Sequence, residues 1–145
     1  MANVFDTAKY ICMSFGDQIS TMKLQKLCYY AQAWQLVWTQ NERSLFPEEF
    51  EKWEGGPVCR ELFEVHRGKF FIDEHGIPSS KLSSEGLTPY EMESIDKVLE
   101  SYGGYDCSQL SELTHSEAPW KNTAMNSIIT KKMMYDYYSG VLANE

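Results

Sequence analysis

Residues 22–38 read M-K-L-Q-K-L-C-Y-Y-A-Q-A-W-Q-L-V-W. Leu24, Leu27, Cys28, Ala31, Trp34, Gln35 and Trp38 recur at intervals of three and four, which puts them on one face of an α-helix. No Gly or Pro interrupts the run, and Leu, Gln, Lys and Ala favour helix. Ser20 and Thr21 stand just ahead, where a hydroxyl can accept from the open N–H groups of a first turn. From Trp34 onward apolar residues fall on every side, so the helix is expected to enter the interior at its C-terminal end. The other flank carries Lys23, Lys26 and Tyr30, again at helical spacing. Two readings stand: a core helix with solvated lysines, or a helix that also displays a cationic, aromatic flank.

Working outward, Asn3 with Asp6 three residues on resembles a capping box, Asp standing in for Glu. Val4, Phe5, Ala8, Ile11, Cys12 and Phe15 form the apolar stripe of a first helix, which Gly16 ends. The link through Asp17, Gln18 and Ile19 is short enough that the first two helices are expected to pack as an antiparallel pair. After Trp38, T-Q-N-E-R-S is a polar turn. Pro47 bars a helix interior, Phe50 to Glu54 reads as a short extended piece, and Gly55-Gly56-Pro57 closes it. Pro57 suits the first position of a third helix, with Val58, Leu62 and Val65 facing inward and Gly68 as its stop.

Between Lys69 and Ser84, Phe70, Phe71 and Ile72 favour strand and D-E-H-G favours a turn; a small hairpin and an ordered loop fit equally. Thr88-Pro89-Tyr90-Glu91 is a capping box with Pro at the first helical position. A stripe of Met92, Ile95, Leu99 and Tyr102 follows, and Gly103-Gly104 ends it. Asp106-Cys107-Ser108-Gln109 is a second such box, opening a short helix with Leu110 and Leu113 that must end before Pro119. A last helix starts near Thr130, with Met133, Met134, Tyr137 and Tyr138 as its apolar residues. Lys131 and Lys132 in its first turn have the wrong sign for a helix N-terminus, a mismatch that an anionic group opposite them would resolve. The expected fold is mainly α: a compact single helical domain over residues 1–145, with a small extended or β element between Phe46 and Ile77.

A chain of 145 residues is one domain by length and buries enough surface to need no staples. Hydrophobic residues at 43% and charged residues at 23% describe an ordinary globule. No apolar run approaches the roughly 20 residues of a membrane span, and the N-terminus shows no signal peptide. Cys12, Cys28, Cys59 and Cys107 form no C-x-x-C pair and read as reduced thiols of a cytoplasmic protein. The formal net charge of −8 would repel nucleic acid, whose binding begins with a basic patch. It favours a basic protein partner.

Nothing in the sequence argues for catalysis, a metal or a cofactor. Gly55-Gly56-Pro57 matches neither a P-loop nor a dinucleotide fingerprint. His66, His75 and His115 show no compact metal-ligand spacing. Cys59 and His66, seven residues apart, would sit roughly 10 Å from each other along one helix, too far for a nucleophile–base pair. They read as a packed thiol and a surface imidazole. Four Trp, nine Tyr and seven Phe exceed what chemistry would need; they serve a core, an interface, or both.

Two groups remain as candidate partner-binding residues. The lysines of the second helix, Lys23 and Lys26, with Tyr30 beside them, could meet an acidic patch on a partner or an internal carboxylate such as Glu54. His115 and Trp120 flank a rigid Pro119. Trp120 either plugs the core, with His115 bonded to nearby backbone, or the pair forms a rim site next to Lys23.

Three segments carry a family resemblance. K-L-Q-K-L-C-Y-Y-A-Q-A-W (Lys23 to Trp34), E-K-W-E-G-G-P-V (Glu51 to Val58) and L-S-E-L-T-H-S-E-A-P-W-K (Leu110 to Lys121) resemble, in order and spacing, the signature elements of the Panacea-domain antitoxins, also called SocA-like. The opening V-F-D-T-A-K-Y-I is similar to the family's start. Cys28 stands where a second aliphatic is usual, and Lys69 to Leu87 matches only loosely. The resemblance implies a mainly helical domain that neutralises a co-encoded protein toxin by binding it. Members pair with unrelated toxins, many are phage-associated, and some act as adaptors that deliver a partner to a protease. Some carry an appended DNA-binding domain, which is not expected here.

Overall fold

Local sequence signals set nearly every helix start. The structure, a computed structural model, describes residues 1–144. Its elements run α1 (Val4–Phe15), β1 (Ile19–Ser20), α2 (Thr21–Trp38), β2 (Phe50–Trp53), β3 (Gly56–Cys59), α3 (Arg60–His66), β4 (Phe71–Ile72), α4 (Pro89–Tyr102), α5 (Cys107–Ser116), α6 (Ala118–Lys121), β5 (Ile128–Ile129) and α7 (Lys131–Ala143). Asn3, Thr88 and Asp106 each make the full capping box read from the sequence, pairing donors that a helix start leaves open. Ser20 caps α2 and Thr130 caps α7 by accepting from the third backbone N–H. Gly16 closes α1 at φ 70°, a conformation that suits glycine.

The helix α2 is the axis of the molecule. Its most extensive contacts are with α7 and α4, then with β3, α1 and α5. Every residue from Leu24 to Val37 is buried, so the helix lies inside along its whole length rather than entering at its C-terminal end. It is enclosed because other elements cover all its sides, not one. Leu24, Leu27, Ala31 and Trp34 share one core with Phe5, Ala8 and Ile11, and Phe15 packs at its margin.

Full enclosure obliges α2 to bury polar side chains, and two glutamines seven residues apart turn this to use. The Gln25 carboxamide donates to the Cys59 carbonyl at 3.1 Å and accepts from the Cys59 N–H at 2.8 Å. Gln32 donates to the Phe46 carbonyl at 2.7 Å and accepts from the Leu45 N–H at 2.6 Å. Each thus pairs backbone groups that would otherwise be buried without partners.

The extended piece around Phe50 is β2. It pairs antiparallel with β3 and, on its other side, with β5. Pro57 does not start a helix: it lies in β3 opposite Lys52, and α3 begins at Arg60. β3 is an outer strand of the three, where a missing N–H is tolerated. Between Lys69 and Ser84 the chain forms an ordered loop, with short 3₁₀ turns at Glu74–Gly76 and Ser79–Lys81. Its strand β4 pairs with β1 rather than within a hairpin of its own. Lys131 finds its anion in Glu49, at 2.7 Å, and Lys132 pairs with Asp136 at 2.7 Å. Among the described residues, no helix is long and apolar enough to cross a membrane.

Candidate functional site

The three segments that are far apart in sequence meet on the N-terminal half of α2. From α2 come Gln25, Lys26 and Tyr30. From the β2–β3 hairpin come Trp53, Gly55 and Gly56. From α5 and α6 come Ser111, Thr114, His115, Glu117 and Trp120. Ser111 donates to the Gly55 carbonyl at 2.8 Å, and the Trp120 indole N–H donates to the Trp53 carbonyl at 3.0 Å. The turn of the hairpin is therefore held from the α5–α6 side.

Gly56 makes the closest approach. Its φ is +131°, and a Cβ there would meet Lys26 Cε at 2.9 Å and Thr114 Oγ1 at 3.3 Å. Lys26 itself is fully enclosed. Its ammonium donates to the Met22 carbonyl at 3.4 Å, and no carboxylate lies within ion-pair distance of it among the described residues. Burial lowers its pKa, and the charge of the Cys107 thiolate form opposes this only in part. Lys23 reaches the Gly103 carbonyl at 2.8 Å and lies over the Phe15 ring. The lysines are thus neither a displayed flank nor partners of Glu54, which is exposed.

Tyr30 is also buried. Its hydroxyl donates to Glu117 Oε1 at 2.7 Å, and its ring stacks on Tyr102 at 4.0 Å. The Tyr138 hydroxyl donates to the same oxygen at 2.7 Å and lies 3.2 Å from that of Tyr29. Burial raises the Glu117 carboxyl above its ordinary value, and the two tyrosine bonds draw it partway back. Glu117 locks α2 to α7 through the junction of α5 and α6. The sequence reading missed Glu117, Gln25 and Gln32; three glutamines within an otherwise apolar helix were the available signal.

His115 and Trp120 stack at 3.9 Å, and Lys52 Nζ lies 4.0 Å from the centre of the Trp120 ring. Both rings are half-buried. The Glu54 backbone bonds the imidazole, while burial, followed by the Lys26 charge, lowers its pKa. Of the six candidate residues, His115, Trp120 and Glu54 reach the surface together, Lys23 reaches it in part, and Lys26 and Tyr30 lie beneath.

Cys59 and His66 are brought together differently from the sequence picture. Cys59 ends β3, and burial pushes its thiol up to about 12. His66 is no surface imidazole: it is 2% exposed, and its Nε2 lies 3.0 Å from Gln25 Nε2. Gln25 therefore bridges the Cys59 backbone and the ring. No group of three or more His, Cys, Asp or Glu side chains is placed to hold a metal among the described residues.

The architecture defines a small helical domain built around one enclosed helix, with its most strongly patterned segments closing that helix against a β-hairpin and a helix–helix junction. The chain belongs to the antitoxin SocA-like, Panacea-domain family, whose model matches residues 24–121. The match spans the three converging segments from Leu24 onward and leaves α1, β5 and α7 outside it. Membership ties the chain to toxin–antitoxin biology and to a protein partner. No curated protein and no solved structure matches it.

Proposed function

We propose that this protein is an antitoxin that neutralises a co-encoded protein toxin by binding it directly, without catalysis. The convergence of the three family segments carries this reading. They meet in a closed, hydrogen-bonded junction, and what they leave at the surface is a rigid aromatic face. Trp120 is fixed by Pro119, by its bond to the Trp53 carbonyl and by its stack on His115. A half-exposed Trp that has already lost its rotamer freedom is the kind of anchor that interfaces use. The net charge of −8 would speed encounter with a basic toxin.

The test is co-expression with each open reading frame that adjoins this gene. The wild-type chain should restore growth and co-purify with the toxin. Trp120→Ala, checked for folding by its melting curve, should bind at least about tenfold more weakly, as expected of an anchor residue. Cys59→Ser should protect as well as the wild type. A folded Trp120→Ala variant that protects fully rules this face out as the contact. Toxin that disappears only in cells with an intact protease would instead identify an adaptor that delivers its partner for degradation.

A further inference from the structure

The C-terminal end of α2 carries a second feature, about 18 Å along the helix from Lys26. A groove of about 470 Å³ opens there, between the end of α2 and the start of α4. Gln35 lines it. That side chain is 2% exposed, its carboxamide oxygen is buried without a donor, and it makes no side-chain hydrogen bond among the described residues. Its neighbours Gln25 and Gln32 are fully paired, so Gln35 stands apart on its own helix. A buried acceptor left without a partner calls for an explanation.

The other walls indicate what would satisfy it. Trp38 and the exposed Tyr90 supply two aromatic rings, and Glu42 and Glu91 supply two carboxylates. The α2 dipole presents its negative end here, and no basic residue occupies the helix's last turn. Against these stand Arg43, exposed at the rim, the start of α4, and Lys97, whose ammonium lies 5.6 Å from the centre of the Trp38 ring and 3.8 Å from its own carboxylate partner, Glu93. Glu91 already answers the start of α4 through the capping box with Thr88. With Glu91 and the start of α4 set against each other, Glu42, a helix C-terminus and an open amide acceptor stand against one solvated guanidinium.

We propose that this groove receives an arginine side chain of the protein toxin. The inference rests on the antitoxin reading above and names one residue type the partner must present. A guanidinium carries only donors, so it can bond the Gln35 oxygen once rotation about the soft terminal torsion turns that oxygen to the groove. It is planar and weakly hydrated, so it stacks on Trp38 and Tyr90 more readily than an ammonium does.

The first probe is Nα-acetyl-arginine methylamide, titrated into the full chain and followed by NMR. Its citrulline analogue, a neutral urea of the same shape, is the control. The arginine compound should give saturable shifts at the Trp38 indole N–H and the Thr39 amide, and the citrulline compound should bind about tenfold more weakly. Tyr90→Ala removes an exposed ring and should lower affinity for both the arginine probe and the toxin at least about fivefold. Absence of shifts in the groove, equal binding of citrulline, or unchanged toxin affinity of Tyr90→Ala overturns the proposal. The probe titration contains no toxin, so its failure is separate from failure of the antitoxin reading.

Discussion

Lys26 lies against Gly56 so closely that a Cβ on the glycine would stand 2.9 Å from Cε of the lysine. One enclosed cation thereby dictates that the hairpin opposite it carries no side chain. The φ of +131° adds a second demand for glycine. Gly56→Ala should cost about 1–3 kcal/mol from backbone strain alone, with further loss from the contact. Urea unfolding measures it, and a cost under half a kcal/mol would show that the hairpin turn adjusts freely.

The lack, among the described residues, of a carboxylate within ion-pair distance of Lys26 leads to a prediction of opposite sign. A buried ammonium that has lost its water and gained only a long bond to Met22 burdens the folded state. Lys26→Met keeps the stem and removes the charge, so it should be at least as stable as the parent at pH 7. Lys26→Glu buries the wrong charge and should lose about 3–5 kcal/mol. A Lys26→Met protein that melts well below the parent would mean that the ammonium holds α2 in place.

Glu117 makes stability depend on pH in a defined direction. Its carboxyl is raised above 4.5 by burial. Such a group contributes stability that is fully present below pH 4.5 and lost as pH rises through the folded-state value. Glu117→Gln retains an acceptor oxygen for Tyr30 and Tyr138 and cannot ionise. The melting temperature of the variant, relative to the parent, should therefore climb between pH 4 and pH 8. Glu117→Leu leaves the Tyr30 hydroxyl without its acceptor and Tyr138 with only the 3.2 Å contact to Tyr29, and should cost about 1–3 kcal/mol for the Tyr30 group alone. A pH-independent difference for Glu117→Gln would mean that folding leaves the Glu117 carboxyl unshifted.

Leu27 is fully enclosed in the core that joins α1 to α2. Leu27→Ala should destabilise by about 2–5 kcal/mol, the range for buried leucines. Equilibrium unfolding with an unchanged slope would attribute the loss to the folded state.

What could be read in the sequence was local. The boxes at Asn3, Thr88 and Asp106 act within four residues, so the starts of α1, α4 and α5 were legible. Pro57 was misplaced because its position is decided from afar, by pairing with Lys52 and by Gln25 gripping Cys59. Lys26 and Tyr30 looked like a display flank because helical spacing shows which residues share a face, not what covers it. Here the cover brings its own polar groups, Thr114 and Glu117, from almost 90 residues away in the chain. Gln35 fell in an apolar stripe by spacing, and only the packed structure shows that its amide oxygen is buried without a partner among the described residues. His115 and Trp120 were legible as a pair, because a rigid Pro119 between them restricts the chain locally.

The separation of Tyr29 from Tyr138 is 109 residues, and this bears on how the protein is made. On the ribosome, α2 emerges about 5–20 s before α7 at ordinary synthesis rates. Throughout that interval its tyrosines and tryptophans lack the surface that α7 will cover, and the carboxylate of Glu117 lacks one of its two donors. No shorter nascent chain can assemble a finished version of the domain. Maturation is a late, single event, and a ribosome that stalls before α7 releases a sticky, protease-sensitive fragment.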